Sequence, residues 1–151
     1  MYILGIIPAR MASSRFPGKP MKPICGMPMI GHVYHRARMS KTIHRLFVAT
    51  CDQEIYQYIE SLGGKPVMTK ATHERCGDRV AEALSIVENQ TKLKPDIVVL
   101  IQGDEPLLYP EMIDEAISPM LVDPDIQVVN LMADIKTEEG WCDPNEVKVV
   151  V

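Results

Sequence analysis

Continuous apolar runs separated by segments of helical periodicity constrain the fold of this chain more than any other feature. The runs occupy residues 2–7, 45–49, 97–101, 127–132 and 147–151, with a short one at 66–68. Runs that are apolar at every position are typical of strands covered on both faces, as in parallel sheets. The segments between them place apolar side chains on one helical face, and they are residues 29–38, 53–62, 78–88 and 110–120. Asp52 is a candidate N-cap for the second of these helical segments. The alternation predicts a doubly wound, mostly parallel α/β sheet with right-handed crossovers, in three α/β/α layers.

The composition fits one domain of ordinary size. The chain has 151 residues, 46% of them hydrophobic, which is enough for a packed core. No uncharged apolar run approaches the roughly 18 residues that a membrane span requires, and no basic residue precedes the first run as in a signal peptide. The four cysteines form no CxxC pair, which argues against a zinc knuckle or a disulfide scaffold and predicts free, buried thiols in a reducing cytoplasm. They are Cys25, Cys51, Cys76 and Cys142.

Charge is distributed unevenly along the chain. The net charge is -4, from 16 basic and 20 acidic residues, yet residues 1–51 contain no Asp or Glu. Their basic residues are Arg10, Arg15, Lys19, Lys22, Arg36, Arg38, Lys41 and Arg45. A concentrated basic segment in an acidic protein predicts a local anion site. A nucleic-acid-binding domain is disfavoured, because such domains are more often basic throughout.

The segment after the first apolar run carries three cations, two hydroxyls and a Pro-Gly turn within residues 8–20. These side chains are Arg10, Ser13, Ser14, Arg15 and Lys19. Converging cations suit a triphosphate, because a guanidinium forks onto two phosphate oxygens and an ammonium acts as a point charge. The segment is not a P-loop, since Ser13 and Pro20 stand where GxxxxGK[ST] requires a glycine and a hydroxyl residue. The alternative is a solvated basic loop.

An acidic loop, Gln-Gly-Asp-Glu-Pro, follows the run at residues 97–101. A carboxylate at the carboxyl end of a buried strand faces the crevice in which α/β sheets bind ligands. Asp104 is therefore the candidate metal ligand, for Mg²⁺, and Glu105 is a weaker second. Gly103 would let a ligand approach the backbone closely. The alternative for Asp104 is turn formation through its own backbone.

Several motifs in register resemble one enzyme family. They are IIPARxxSxRxPGKP at residues 6–20, GMPMI at 26–30, VATxD at 48–52, GGxxxMT at 63–69, QGDEP at 102–106 and DPNxVKVV at 143–150. Together they resemble the cytidylyltransferases that activate keto-sugar acids. The segment at residues 73–79, His-Glu-Arg-Cys-Gly-Asp-Arg, departs from the Ser-Gly-Thr-Glu-Arg pattern usual in that family and lacks both hydroxyls.

The resemblance implies roles for individual residues. The nucleotide site would comprise Pro8, Ala9, Arg10, Ser13, Arg15, Lys19, Arg79 and Gln102. Within it, Arg10, Arg15 and Lys19 would hold the phosphates of CTP, and Gln102 would contact the cytosine or ribose. Asp104 would bind Mg²⁺, and Arg10, Lys19 and Asp104 would be the catalytic residues.

The implied reaction is Mg²⁺-dependent transfer of CMP from CTP to a keto-sugar acid, 3-deoxy-manno-octulosonate or similar, with release of pyrophosphate. The alternatives are another acceptor, acylneuraminate-like or an amino-octulosonate, and a nucleotide-binding fragment without catalysis. Residues 1–151 are expected to form a nucleotide-binding nucleotidyltransferase domain truncated at its C-terminus. Family members continue further and carry most of their dimer contacts there, so a cytoplasmic homodimer is expected of the full-length protein, with no nucleic-acid or membrane partner.

Overall fold

The N-terminal apolar run forms an inner strand of a parallel sheet. The computed structural model describes residues 1–12 and 16–149. Within them the strands are β1 (Ile3–Ala9), β2 (Pro23–Ile24), β3 (Met27–Pro28), β4 (Arg45–Thr50), β5 (Pro66–Met68) and β6 (Ile97–Leu100). The main sheet has the order β5-β4-β1-β6, and all its neighbours are parallel. β2 and β3 form a separate antiparallel hairpin.

Helices cover both faces of this sheet. They are α1 (Met29–Ala37), α2 (Gln53–Ser61), α3 (Cys76–Thr91), α4 (Pro110–Val122) and the short α5 (Glu138–Cys142). Alternate residues of β1 point to opposite faces, as the two-residue period of a strand requires. Ile3 and Ile7 pack in a core with α1, α2 and α4, whereas Leu4 and Ile6 pack in a second core with α3. The predicted three-layer, doubly wound α/β fold is confirmed.

The strand order reverses direction at β1. The chain moves from β1 outward to β4 and β5, then returns along α3 to place β6 on the other side of β1. Ile6 of β1 is therefore aligned with Phe47 on one side and Leu100 on the other. Doubly wound sheets bind ligands at such a reversal, beyond the carboxyl ends of the strands. This places the predicted site where the segments after β1 and β6 emerge side by side.

Two predicted strands are wrong. Residues 127–132 and 147–149 form no strand, and residues 150 and 151 lie outside the described part. Val128 is 75% exposed there. A strand is stabilised by hydrogen bonds to a neighbouring strand and by burial of a face, and these segments have neither among the described residues. Trp141, on α5, is likewise exposed.

The cysteine prediction is correct in part. All four thiols are free, but Cys25, Cys76 and Cys142 are exposed and Cys51 is half-buried. Cys25 precedes Gly26 in the tight β2–β3 turn, and both have positive φ values, 49° and 83°, which explains the exposure of that thiol. In the described ranges, no helix combines the length and apolar character needed to cross a membrane.

Candidate active site

A cleft of about 660 Å³ opens at the reversal of strand order. Its described lining comprises Pro8, Ala9, Arg10, Ala12, Phe16, Lys19, Pro20, Met29, Gln102, Gly103 and Asp104. Six predicted site residues thus come together: Pro8, Ala9, Arg10, Lys19, Gln102 and Asp104. Ser13 and Arg15 lie outside the described residues. Arg79 does not line the cleft but lies behind it.

Backbone hydrogen bonds fix the segment that carries Lys19. Gly18 has a φ of +71°, a conformation that glycine adopts without steric cost. Its N–H donates to the carbonyl of Met11 at 2.9 Å, which closes the loop. A 3-10 turn over Lys19–Met21 follows directly. The predicted Pro-Gly turn is therefore present, and it holds Lys19 at the mouth of the cleft.

Lys19 and Asp104 face each other across the cleft. The Lys19 Nζ lies 2.8 Å from the Asp104 Oδ2. The side chains are 36% and 52% exposed, so the pair contributes at most about 1 kcal/mol to stability. Its significance is positional, because a cation suited to phosphate and a carboxylate suited to a divalent metal lie in direct contact.

Gly103 allows the loop after β6 to lie against the end of β1. A Cβ at this position would lie 2.4 Å from the carbonyl oxygen of Pro8. Such a distance is far below van der Waals contact, so the two segments would have to separate. The close approach at Gly103 is made by Pro8, at a position where the sequence predicts a ligand.

Asp52 is a site-supporting residue that sequence reasoning assigned to another task. It lies at the N-cap position of α2, as its sequence pattern indicates, but its side chain makes no capping hydrogen bond. The Asp52 Oδ2 instead accepts from the backbone N–H of Met11 at 2.8 Å. The end of β4 thereby anchors the segment that carries Arg10. The VATxD motif at residues 48–52 was the available signal.

Arg79 is 2% exposed and holds the loop between β5 and α3 from behind. It donates to the Thr69 hydroxyl at 2.5 Å, the Lys70 carbonyl at 3.3 Å and the His73 carbonyl at 3.4 Å. Arg10 donates to the same His73 carbonyl at 3.1 Å. The structure thus connects Arg79 to the cleft through His73 and Arg10.

Glu82, one turn after Arg79 on α3, binds the same loop. Its Oε2 lies 2.5 Å from the His73 Nε2 and accepts from the Lys70 N–H at 2.8 Å. The hydrogen bond from the Lys70 N–H, assisted by the His73 ring, lowers the pKa of Glu82 below its ordinary value, against the opposing effect of desolvation. No motif in the sequence marks this contact, because it depends on the conformation of the loop.

The carboxylate set fits a magnesium ion that arrives with phosphate. The described lining contributes one carboxylate, Asp104, while Glu105 is exposed outside it. Mg²⁺ commonly takes one or two protein carboxylates and completes its shell with phosphate oxygens and water. Across residues 1–12 and 16–149, no group of three or more His, Cys, Asp or Glu side chains forms a metal cage.

Comparisons with known proteins identify the family of this chain. The cytidylyltransferase family model matches residues 4–151. A 3-deoxy-manno-octulosonate cytidylyltransferase from Geobacter metallireducens is 44% identical over 150 residues, covering 99% of this chain and 57% of that protein. One from Syntrophus aciditrophicus is 45% identical over 149 residues, covering 98% and 58%.

Structural similarity leads to the same family. A solved CMP:2-keto-3-deoxy-manno-octonic acid synthetase complexed with CTP superposes with a TM-score of 0.73 and 39% identity. The match covers 83% of this chain and 50% of that one. This chain spans somewhat more than half the length of the two curated relatives. By its sequence and fold, it belongs to the cytidylyltransferase family.

Proposed function

We propose that the cleft binds CTP and that the chain supplies the nucleotide half of a cytidylyl transfer to a keto-sugar acid, 3-deoxy-manno-octulosonate. The observation that carries the proposal is the contact between Lys19 and Asp104 at the reversal of strand order. The names of the relatives support the nucleotide and the acceptor. The resemblance is also the basis for proposing a nucleotide-binding domain over residues 1–151 and a homodimer in the cytoplasm.

The cations of the cleft hold the triphosphate in this proposal. Lys19 supplies a point charge at the mouth, and Arg10 supplies a planar donor anchored on the His73 carbonyl. Ser13 and Arg15 extend the same segment. Pro8 and Ala9 form the floor, and Gln102 offers an amide to the base or ribose. Catalysis is then mostly orientation and charge neutralisation.

Asp104 is the residue that would hold Mg²⁺, which would supply charge neutralisation on the phosphate oxygens. In the transfer, the anomeric hydroxyl oxygen of the sugar acid bonds to the α-phosphorus of CTP. The bond from that phosphorus to the bridging oxygen breaks, pyrophosphate leaves, and the hydroxyl proton passes to solvent. No covalent enzyme intermediate is required.

The phosphate role of Lys19 is tested by calorimetry with CTP and cytidine. Loss of a charge-assisted contact predicts that Lys19→Ala weakens CTP binding by about tenfold or more while cytidine binding changes little. Lys22→Ala is the matched control, because Lys22 is exposed in the same segment and does not line the cleft. Equal losses for CTP and cytidine would show that Lys19 acts through structure.

The metal role of Asp104 is tested by titrating CTP with and without Mg²⁺. Asp104→Asn is expected to abolish most of the Mg²⁺-dependent gain in affinity, because an amide is a far weaker ligand than a carboxylate. Glu105→Gln, a neighbouring charge change outside the cleft lining, is the control. An unchanged gain in Asp104→Asn contradicts the assignment.

Turnover is tested by pyrophosphate release with a panel of sugar acids: 3-deoxy-manno-octulosonate, an acylneuraminate and an amino-octulosonate. Release with the first alone supports the proposed acceptor, and release with another corrects it. CTP binding without transfer is the second candidate, since the chain spans 57% of the Geobacter relative. It is supported if a version extended to the relatives' length also releases no pyrophosphate.

A further inference from the structure

Two oppositely charged side chains on α3 form hydrogen bonds with one short loop, residues 70–73, one as a donor and the other as an acceptor. Arg79 donates to the carbonyls of Lys70 and His73. Glu82, three residues later and on the same helical face, accepts from the Lys70 N–H and from the His73 ring. The backbone of residues 70–73 is thus held through donors and acceptors at both of its ends.

The His73 carbonyl also contacts Arg10, a residue that lines the cleft. It accepts from Arg79 on the buried side and from the Arg10 Nη1, at 3.1 Å, on the cleft side. Arg10 and His73 are 63 residues apart in sequence, so this hydrogen bond joins the β1 segment to a distant part of the chain, the loop before α3. This hydrogen bond restrains the Arg10 guanidinium at the edge of the cleft.

The His73 ring contacts the same Glu82 carboxylate as the Lys70 N–H. These two contacts come from positions three residues apart in sequence, so one carboxylate restrains the short loop to which the His73 carbonyl belongs. A guanidinium ordered before binding loses less conformational entropy when it engages phosphate. Arg79 and Arg10 both donate to the His73 carbonyl, and the Glu82 carboxylate contacts the ring of the same residue.

We propose that the Glu82–His73 pair is a positioning device for Arg10, acting through the His73 carbonyl to orient the guanidinium toward the phosphates. Neither residue lines the cleft, so neither is catalytic. The inference rests on the proposed CTP site for its consequence, while the orientation of Arg10 can be measured without any nucleotide.

The experiment compares Glu82→Ala, Glu82→Gln and Glu88→Ala in the 151-residue chain. Glu82→Gln keeps an oxygen that accepts from Lys70 and His73. Glu88 is the matched control, because it lies on the same helix and belongs to neither the loop contacts nor the cleft. His73→Ala, which removes the ring and keeps the carbonyl, replaces Glu82→Ala if circular dichroism shows that the latter does not fold.

The first readout is the nitrogen-15 resonance of the Arg10 side chain without nucleotide, assigned by Arg10→Lys. We expect it to shift and broaden in Glu82→Ala, and to stay near its original position in Glu82→Gln and Glu88→Ala. An unchanged Arg10 resonance in Glu82→Ala overturns the inference, whether or not the chain binds CTP. Absence of CTP binding by the unmodified chain overturns the proposed function instead.

The second readout is the ratio of CTP to cytidine affinity. Glu82→Ala is expected to lower it about three- to tenfold, less than direct removal of a phosphate contact, with recovery in Glu82→Gln. A merely structural defect lowers both affinities together and leaves the ratio constant. A constant ratio in Glu82→Ala, in a chain where Arg10→Ala lowers it, contradicts the positioning role.

Discussion

Residues 3–122 and residues 123–149 contain similar apolar runs but fold differently. The first part forms a parallel sheet between two helical layers, and Leu4 of β1 is fully buried. In the second part, Leu131 lies in a run that also contains Gln127 and Asn130, and it is 49% exposed. β1 has a parallel partner along each edge, whereas residues 127–132 form no strand. Apolar character alone therefore does not make a strand, because the backbone also needs a partner.

The largest expected effect comes from truncating one leucine in each part. Leu4→Ala removes buried methyl groups between the sheet and α3 and is expected to lower the free energy of unfolding by about 2–5 kcal/mol. Leu131→Ala, the same chemical change at an exposed position, is expected to cost no more than about 0.5 kcal/mol. Urea unfolding followed by circular dichroism measures both. Similar losses would show that the second part is packed as firmly as the first.

An intermediate effect on the free energy of unfolding is expected at Gly103, where the loop after β6 lies against the end of β1. Gly103→Ala places a Cβ against the Pro8 carbonyl and is expected to lower the free energy of unfolding by about 1–3 kcal/mol through overpacking. Gly77→Ala is its control, because a Cβ there meets nothing within 4 Å. Alanine in that helical position is expected to stabilise by up to about 1 kcal/mol. Equal outcomes in the same urea titration would place the two loop segments further apart than the structure does.

The smallest expected effect is a change in the pH dependence of the unfolding free energy, at Asp114 in the first part. Asp114 of α4 accepts hydrogen bonds from Ser40, Lys41 and Thr42 before β4. Burial raises the pKa of Asp114, but the bonds from the two hydroxyls and the backbone N–H groups outweigh it, so the pKa lies below its ordinary value. The unfolded chain then binds this proton more readily than the folded chain.

The stabilisation from Asp114 is therefore complete above the pKa of an unfolded aspartate, about 3.9, and is lost as the pH falls through the lower folded value. Asp114→Asn is expected to flatten the decline in unfolding free energy in this acid range. Asp125→Asn, at an exposed position in the second part, should leave the decline unaltered. A decline as steep in Asp114→Asn as in the unmodified chain contradicts the account.

Local pattern predicted those features that depend on neighbours in sequence. The runs at residues 2–7, 45–49 and 97–101 became strands, and the Pro-Gly turn before Lys19 formed where the motif indicates. The topology of doubly wound sheets also predicts that Lys19 and Asp104 lie close together, because both follow strands that meet at the reversal of strand order. They do so although 85 residues separate them in sequence.

Features that depend on specific side-chain partners far apart in the chain were not predictable. Asp52 looked like a helix cap, because its sequence neighbourhood gives no sign that Met11 lies within 2.8 Å. Gly103 looked like a ligand contact for the same reason. The Glu82 contact with His73 needs the loop conformation to be known first, and periodicity contains no information about it.

The exposed position of Trp141 determines what optical spectroscopy reports. It is the only tryptophan in the sequence, and it lies on α5, outside the packed sheet. Intrinsic fluorescence excited at the indole band therefore reports on the surroundings of α5 and not on the packing of the sheet. If a further polypeptide docked over α5 and buried Trp141, the tryptophan emission would shift to shorter wavelength.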